Sequence, residues 1–144
     1  MQSDIKTYIA SPFFNGVQLR VVEQIERMLK ENNIRYYSPR SEGVLQNMTP
    51  DDKAIHMGEI FKKNVEEMEW ATHMIAVIDN YDIGTVWEMG YFFKSGKEII
   101  TYSDNYYGIN VMLNESIKGH CINMEDIIPT LLGDFKTHKG SDVI

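Results

Sequence analysis

Apolar runs of strand length alternate along this chain with segments in which apolar residues recur every three or four positions. Such runs are typical of strands buried in a parallel sheet, and the three-to-four spacing is typical of helices that pack on a sheet. The pattern predicts strands at residues 7–10, 34–37, 73–79, 97–102 and 120–123. It predicts helices that end near Asn32, Trp70 and Gly96, a short helix at 110–117 and a last helix at 125–135.

The alternation of strands and helices predicts the fold class. Units of strand, helix and strand pair their strands in parallel through right-handed crossovers, with helices on both faces of the sheet. We therefore expect an α/β protein with a doubly wound, flavodoxin- or Rossmann-like sheet of five parallel strands. Its 144 residues suit one domain, and residues 1–144 contain no linker, repeat or low-complexity segment.

The helix that ends near residue 70 has clear start signals. Thr49 is a good capping residue, Pro50 suits the first helical position, and two acids follow in the first turn. The sequence predicts a helix from there to about residue 70, with a break near Gly58. The predicted inner face consists of Ile60, Phe61, Val65 and Met68.

Charge and cysteine content narrow the possible partners and compartment. A net charge of -7 argues against a nucleic-acid polymer as partner, whereas free bases and nucleosides remain compatible. The single cysteine, Cys121, allows no internal disulfide and fits a reducing cytoplasm. The first residues lack the features of a signal peptide, and no apolar run approaches the roughly 18 residues of a membrane span. We therefore expect a cytoplasmic protein without membrane segments.

The sequence lacks the common motifs for cofactors and metals. No glycine-rich dinucleotide motif follows the first strand, and no Walker A, His-Glu-x-x-His or Gly-x-Ser-x-Gly motif occurs. The four histidines are scattered without metal-ligand spacing. We therefore expect neither a cofactor nor a metal. The remaining candidates are acids, amides and aromatics at strand ends, which are the groups that bind a sugar and stack a base.

The segment at residues 82–91 follows the apolar strand at 73–79 and leads into a helix. Ligands of open α/β sheets bind in loops at the carboxyl ends of the strands. The pattern predicts Asp82 in such a loop and Glu88 in the first helical turn, where a reactive carboxylate is expected. Thr85 and Glu88 also fit a capping box, in which both side chains satisfy backbone N–H groups at a helix start. The spacing alone leaves both interpretations open.

Three segments, in this order, resemble the nucleoside 2-deoxyribosyltransferase family: residues 8–14 (YIASPFF), 82–91 (DIGTVWEMGY) and 108–112 (GINVM). The resemblance implies that Glu88 is the nucleophile and that Tyr8 hydrogen-bonds it. It also implies that Asp82 accepts hydrogen bonds from the sugar. The Asn-x-Met segment implies that Asn110 and Met112 reach into the active site of a neighbouring subunit, where Asn110 holds the sugar 5′-hydroxyl.

Each of these residues also has an ordinary structural interpretation. Without the resemblance, Tyr8 would be a half-buried strand tyrosine, and Asp82 would be a turn residue. Asn110 would cap a helix. Phe13 either forms an apolar wall against the base or belongs to the core. The order of the three segments favours the functional interpretation.

The family implies a reaction and a set of partners. A retaining transfer of 2-deoxyribose between nucleobases would pass through a deoxyribosyl ester on Glu88. The expected substrates are deoxyribonucleosides and free nucleobases, as in nucleotide salvage. Active sites shared between subunits imply a homo-oligomer built from dimers, up to a hexamer.

Two features of the sequence keep alternatives open. The family usually has an Asp beside the base at the opening of the strand that precedes the reactive loop, and the nearest residue here is His73. Arg40 and Ser41, in a loop at 40–48 expected to face the base, are compatible with a 2′-deoxynucleoside 5′-phosphate N-hydrolase. A non-catalytic nucleotide-sensing module on the same scaffold is a further alternative, since a fold does not fix a function.

Overall fold

The structure is a computed structural model, and it describes residues 4–42, 48–104 and 108–134. The strands are β1 (Lys6–Ala10), β2 (Arg35–Tyr37), β3 (His73–Val77), β4 (Glu98–Tyr102) and β5 (Gly119–Cys121). The helices are α1 (Gly16–Glu31), α2 (Pro50–Trp70), α3 (Ile83–Lys94), α4 (Val111–Glu115) and α5 (Ile127–Leu131). Short 3₁₀ turns cover Pro39–Glu42, Asp79–Tyr81 and Met124–Asp126.

All five strands are parallel and lie in the order β2-β1-β3-β4-β5, which confirms the predicted doubly wound α/β fold. After β1 the chain continues toward one edge of the sheet, and after β3 it continues toward the other edge. This order therefore puts a topological switch point between β1 and β3, where ligands of such sheets bind.

Helices cover both faces of the sheet, as the alternating pattern predicts. Residues of α1 and α5 pack on one face against side chains such as Ile75 and Ile100. Residues of α2, α3 and α4 pack on the other face against Tyr8, Met74 and Ile99. Successive strand residues alternate between the two cores because the pleat directs their side chains to opposite faces. Tyr8 therefore lies on the α2 and α3 side of β1.

Helix α2 differs from the predicted one in two respects. It continues without a break through Gly58, so the predicted interruption is wrong. Phe61 lies on the outer part of the helix and is 57% exposed, so its assignment to the inner face is also wrong. Phe61 contacts Trp87 of α3 instead, with ring centres 5.6 Å apart. Apolar spacing alone cannot distinguish a core residue from an aromatic side chain on the wall of a cavity.

Three predicted segments extend beyond the described residues. Most of the expected base-facing loop at 40–48, the end of the last predicted helix at 125–135 and the tail from 136 onward lie outside them. In the described ranges, the last helix is α5, which follows the turn at Met124–Asp126. No helix in these ranges is long and apolar enough to cross a membrane.

Candidate active site

A cavity of about 760 Å³ opens at the carboxyl ends of β1, β2 and β3, beside the switch point. Phe13 and Phe14, from the loop after β1, form one part of its wall, and Ile60 and Phe61 of α2 and Trp87 of α3 form another. The wall is mainly apolar, with few polar side chains, as is usual for sites that bind small organic molecules. Phe13 thus lines the cavity, and its ring centre lies 4.8 Å from that of Phe14.

The loop after β1 is fixed by the start of helix α1. Asn15 caps the helix by accepting a hydrogen bond from the backbone N–H of Gln18, at 2.9 Å. The side-chain oxygen of Gln18 in turn accepts a hydrogen bond from the backbone N–H of Phe14, at 2.8 Å. These two hydrogen bonds hold the backbone on which Phe13 and Phe14 form the cavity wall.

Tyr8 and Glu88 contact each other, and Glu88 lines the cavity. Tyr8 is fully buried in β1, and its hydroxyl donates a hydrogen bond to Glu88 Oε2. Glu88 lies in the second turn of α3 and lines the cavity. The predicted contact between these two residues, 80 positions apart in sequence, is thus present in the fold. The tyrosine holds one carboxylate oxygen, and the other makes no hydrogen bond to the side chains or backbone of the described residues.

The surroundings of Glu88 change its ionisation. Burial raises the pKa of Glu88 to about 7, and the negative charge of Asp82 adds to this increase, whereas the hydrogen bond from Tyr8 opposes it. Burial and the neighbouring carboxylate raise the pKa of Tyr8 far above its ordinary value, so that Tyr8 stays a protonated donor. Near neutral pH, Glu88 therefore exists as a mixture of acid and carboxylate, as is common for groups in functional sites.

Asp82 is the capping residue of α3. Its Oδ2 accepts hydrogen bonds from the backbone N–H of Thr85 at 3.0 Å and from the Thr85 hydroxyl at 3.1 Å. The capping-box interpretation of Thr85 and Glu88 is therefore wrong, because the capping residue is Asp82 and the helix already begins at Ile83, two residues before Thr85. For the same reason Glu88 lies one turn later than the sequence predicts. Asp82 also lines the cavity.

Gly84 makes room for this carboxylate. A Cβ atom at this position would lie 3.3 Å from Asp82 Oδ2, closer than most such contacts in proteins. Gly84 also lines the cavity. Because it has no side chain, it fills neither the space beside the capping carboxylate nor the cavity. The lack of space for a side chain thus explains why the motif has a glycine at this position.

Asn110 and Met112 lie away from the cavity of their own chain. Asn110 caps α4 through a 2.8 Å hydrogen bond from the backbone N–H of Met112 to its Oδ1. Met112 is 73% exposed, and neither residue lines the cavity. The structure thus confirms the interpretation of Asn110 as the capping residue of α4. Their predicted role in a neighbouring subunit's site stays a prediction.

His73 is the first residue of β3, whereas the cavity lies at the carboxyl ends of the strands. Its Nε2 lies 3.1 Å from Glu98 Oε2, and its Nδ1 lies 2.7 Å from the Thr72 hydroxyl. His73 therefore does not occupy the place beside a base that the sequence comparison suggested for it. Within the described residues, no group of three His, Cys, Asp or Glu side chains is arranged to hold a metal ion.

Arg40 and Ser41 make structural contacts. The Arg40 guanidinium pairs with Glu26 of α1 through two hydrogen bonds of 2.6 Å each. The Ser41 hydroxyl donates to the backbone oxygen of Ser38, at 2.9 Å. Neither residue lines the cavity. These two residues therefore give no support to a phosphate site in this cavity.

Two polar side chains of α2 line the cavity although the sequence analysis did not select them. Lys53 and Asn64 share the helical face that carries Ile60 and Met68. Asn64 could have been recognised from the sequence, because it lies four positions from both Ile60 and Met68 and so interrupts an otherwise apolar helical face. Asn64 also accepts a hydrogen bond at Oδ1 from the Tyr37 hydroxyl, at 3.2 Å.

The fold and the site define an α/β enzyme in which a tyrosine holds a carboxylate that lines an apolar cavity. The sequence profile described as "Nucleoside 2-deoxyribosyltransferase" matches residues 7–131. The chain belongs to this family, which confirms the resemblance noted in its three motifs and its assignment as an enzyme.

Comparison with solved structures agrees with this assignment. A characterised 2-deoxyribosyltransferase from Bacillus psychrosaccharolyticus superposes with a TM-score of 0.70 and 28% sequence identity, over 85% of this chain and 89% of that one. A conserved protein from Enterococcus faecalis V583 shares the fold, with a TM-score of 0.50 and 19% identity, over 93% of this chain and 79% of that one. No curated protein sequence matches the chain significantly.

Proposed function

We propose that this enzyme transfers 2-deoxyribose from a deoxyribonucleoside to a free nucleobase, with a covalent intermediate on Glu88 and retention of configuration. The hydrogen-bonded pair of Tyr8 and Glu88 in an apolar cavity is the observation that carries the proposal. Family membership and the superposition on a characterised 2-deoxyribosyltransferase support it.

The first half-reaction forms the intermediate. The free carboxylate oxygen of Glu88 attacks the anomeric carbon, and the bond from that carbon to the base nitrogen breaks with its electron pair going to the base. The departing base takes up a proton from solvent, and the acceptor base later returns one to solvent. Tyr8 keeps Glu88 in position and holds the oxygen that does not attack. The product is a deoxyribosyl ester of Glu88 and a free base.

The second half-reaction releases the sugar to a new base. A ring nitrogen of the acceptor base attacks the anomeric carbon, the ester bond breaks, and the Glu88 carboxylate is restored while the acceptor nitrogen loses its proton. Two inversions give overall retention. Asp82 lines the cavity, and its two hydrogen bonds both involve Oδ2, so Oδ1 is assigned to the sugar hydroxyls.

Incubation with deoxyinosine, with and without adenine, tests the proposal. We expect deoxyadenosine to form only when adenine is present, in the β configuration, and not with Glu88→Gln. Mass spectrometry of protein mixed with deoxyinosine alone should show one added deoxyribosyl group on the peptide that contains Glu88. Base release at the same rate without adenine would instead indicate a hydrolase, and an α product would contradict retention.

A complete site further requires a second subunit in this proposal. The exposed Asn110, Val111 and Met112 at the start of α4 would reach into the open cavity of a neighbouring chain, where Asn110 would hold the 5′-hydroxyl. The exposure of these side chains, outside the cavity of their own chain, supports this.

A second candidate function rests on Lys53. It is the cationic side chain among the described residues that line the cavity, and a lysine there favours an anionic substrate such as a deoxynucleoside 5′-monophosphate. If the enzyme acts on monophosphates, Lys53→Met should raise KM for deoxyinosine monophosphate about tenfold or more and leave KM for deoxyinosine unchanged. Equal KM values in both proteins would remove this candidate.

A further inference from the structure

The two oxygens of the Asp82 carboxylate differ in their contacts. Oδ2 accepts a hydrogen bond from the Thr85 backbone N–H at 3.0 Å and another from the Thr85 hydroxyl at 3.1 Å. No described residue donates a hydrogen bond to Oδ1, and Asp82 lines the cavity. Each carboxylate oxygen has two lone pairs for hydrogen bonds. Thr85 therefore engages both lone pairs of Oδ2, and the acceptor capacity of Oδ1 is available to a ligand.

The two hydrogen bonds from Thr85 have different consequences. The backbone N–H bond is the ordinary N-terminal cap of α3, which nearly any residue at this position would supply. The hydroxyl bond requires threonine or serine. The Thr85 side chain lines the cavity and is only 2% exposed, so a valine would fill the same space and keep the cap. The hydroxyl is thus not needed to start the helix.

The hydroxyl bond restricts the rotation of the carboxylate. The backbone before Asp82 is already fixed, because Tyr81 has a left-handed φ of 46° and its hydroxyl donates a hydrogen bond to the Gly108 backbone oxygen, at 3.1 Å. The terminal side-chain torsion of an aspartate is broad, however, so a single hydrogen bond does not fix the plane of its carboxylate. A second donor to the same oxygen does, and the Thr85 hydroxyl is this donor.

We propose that the Thr85 hydroxyl is a positioning group for the sugar. By fixing the plane of the Asp82 carboxylate, it presents Oδ1 to the 3′-hydroxyl of the deoxyribose and so sets the preference of the enzyme for nucleosides that carry this hydroxyl. The inference rests on the proposed function, in which Asp82 Oδ1 binds the sugar. It adds the residue that acts through Asp82 and the particular hydroxyl that is recognised.

The choice of the 3′-hydroxyl follows from the direction of attack. In a retaining transfer, Glu88 attacks the anomeric carbon from the face of the sugar opposite to the base. In a β-nucleoside, the base and the 5′-carbon lie on one face of the ring and the 3′-hydroxyl lies on the other. Asp82 lines the same cavity as Glu88, and its negative charge is close enough to raise the pKa of Glu88. Asp82 is therefore assigned to the face that carries the 3′-hydroxyl.

The test compares three donors of the same base, with adenine as acceptor: deoxyinosine, 2′,3′-dideoxyinosine and 2′,5′-dideoxyinosine. The measured quantity is kcat/KM for deoxyinosine divided by kcat/KM for each analogue. For the analogue without the 3′-hydroxyl, we expect a ratio of about ten or more in the wild-type protein, because hydrogen bonds to charged groups are the stronger ones. Thr85→Val should reduce this ratio about threefold or more, and Thr85→Ser, which restores the hydroxyl, should keep it within about twofold of wild type.

Two controls separate positioning from a general disturbance of the cavity. The ratio for 2′,5′-dideoxyinosine should not change in Thr85→Val, because the 5′-carbon lies on the other face of the sugar. Thr130→Val is the matched control protein, since Thr130 is also 2% exposed but belongs to α5, on the other face of the sheet. It should leave both ratios unchanged.

A double-mutant cycle tests whether the hydroxyl acts through the carboxylate. Asp82→Asn keeps a side chain that can cap α3 but replaces one acceptor oxygen by an NH₂ group. The ratio for 2′,3′-dideoxyinosine should fall to about one in this variant, and adding Thr85→Val should then have no further effect on it. A further decrease of the same size as in the wild-type background would overturn the positioning role.

Nucleoside binding separates this inference from the transferase function. The affinities of the three nucleosides for Glu88→Gln, measured by tryptophan fluorescence at the cavity residue Trp87, give the same ratios without turnover. A protein that exchanges bases but shows an unchanged ratio in Thr85→Val, or an equal change for both analogues, would overturn the inference alone. A protein that exchanges no base, but whose preference for the 3′-hydroxyl in binding is lost on Thr85→Val, would contradict the transferase function and support the inference.

Discussion

At the scale of single residues, the Glu88 carboxylate faces two opposing requirements. The proposed chemistry needs it ionised, whereas burial raises its pKa to about 7. The hydrogen bond from the Tyr8 hydroxyl lowers this pKa and so favours the reactive form. Tyr8 therefore both orients the carboxylate and increases the fraction that is ionised at neutral pH.

The pH dependence of activity follows from this. We expect kcat/KM for deoxyinosine to rise between pH 5 and pH 8 with a midpoint at about pH 7, because this parameter reports ionisation in the free enzyme. Tyr8→Phe removes the bond that stabilises the carboxylate, so the midpoint should move to higher pH. The rates are measured in a constant-ionic-strength buffer series.

Tyr36→Phe serves as the control for this profile, since Tyr36 packs on the other face of the sheet. A midpoint that stays in place in Tyr8→Phe, or moves to lower pH, would contradict the role assigned to the Tyr8 hydroxyl.

The same raised pKa has a consequence for stability. Because the folded pKa of Glu88 lies above the ordinary value of 4.5, the folded state binds more protons than the unfolded state between pH 4.5 and about 7. The free energy of unfolding contributed by Glu88 is therefore fully present below this range and is lost as the pH rises through it. Glu88→Gln, which does not titrate, should be more stable than wild type by about 3 kcal/mol at pH 8 and no more stable at pH 4.

Urea unfolding at both pH values measures this difference. Glu66→Gln is the control, since Glu66 is an exposed residue whose nearest cation, Lys62, is 3.9 Å away. A Glu88→Gln protein that is equally stable, or less stable, at pH 8 would show that burial of the carboxylate has no cost.

At the scale of secondary-structure elements, helix α2 is anchored at its carboxyl end by a residue that precedes β4. The Lys97 ammonium donates hydrogen bonds to the backbone oxygens of Met68 and Glu69, at 2.9 Å each. These oxygens belong to the last turn of α2, where carbonyl groups lack helical partners and the helix dipole attracts a cation. This helix supplies Ile60, Asn64 and the other α2 side chains of the cavity wall.

Lys97→Met should lower the free energy of unfolding by about 1 kcal/mol, because it removes both hydrogen bonds, the charge and the contact of the ammonium with the Phe92 ring, but keeps a side chain of similar length. Thermal and urea unfolding measure the effect. Lys62→Met, an exposed lysine of α2 itself, is the control and should change stability by less than about 0.5 kcal/mol. Equal effects of the two substitutions would contradict a specific cap.

At the scale of the whole molecule, the proposed sharing of sites between subunits can be tested by mixing two inactive variants. Glu88→Gln lacks the nucleophile, and Met112→Glu places a charge where a neighbouring cavity is apolar. If sites form between subunits, unfolding and refolding the two together gives hybrid dimers with one intact site, and about a quarter of wild-type activity should return.

The oligomeric state is measured in parallel by light scattering. A monomer at micromolar concentration, or a mixture that stays inactive although each variant assembles, would contradict shared sites. Full activity of Met112→Glu by itself would also contradict them.

The sequence by itself determined the order and type of the main elements and the family. Strand-length apolar runs and helical spacing are local properties, so they predicted the five parallel strands and the doubly wound fold. The motif residues Tyr8, Asp82 and Glu88 could be chosen because their segments resemble the family, and for Asp82 and Glu88 also because they follow the carboxyl end of a strand. Phe13 was expected either at the cavity wall or in the core, and the pattern did not decide between them.

Only the tertiary structure decided which faces of the helices meet the cavity. Asn64 and Lys53 line it and Phe61 stands on its exposed wall, because packing between α2 and α3 creates a gap that no local pattern encodes. It also decided the pKa of Glu88, which depends on burial and on a tyrosine 80 residues away. Ionisation and donor orientation depend on distances through space, whereas the sequence pattern records only distances along the chain.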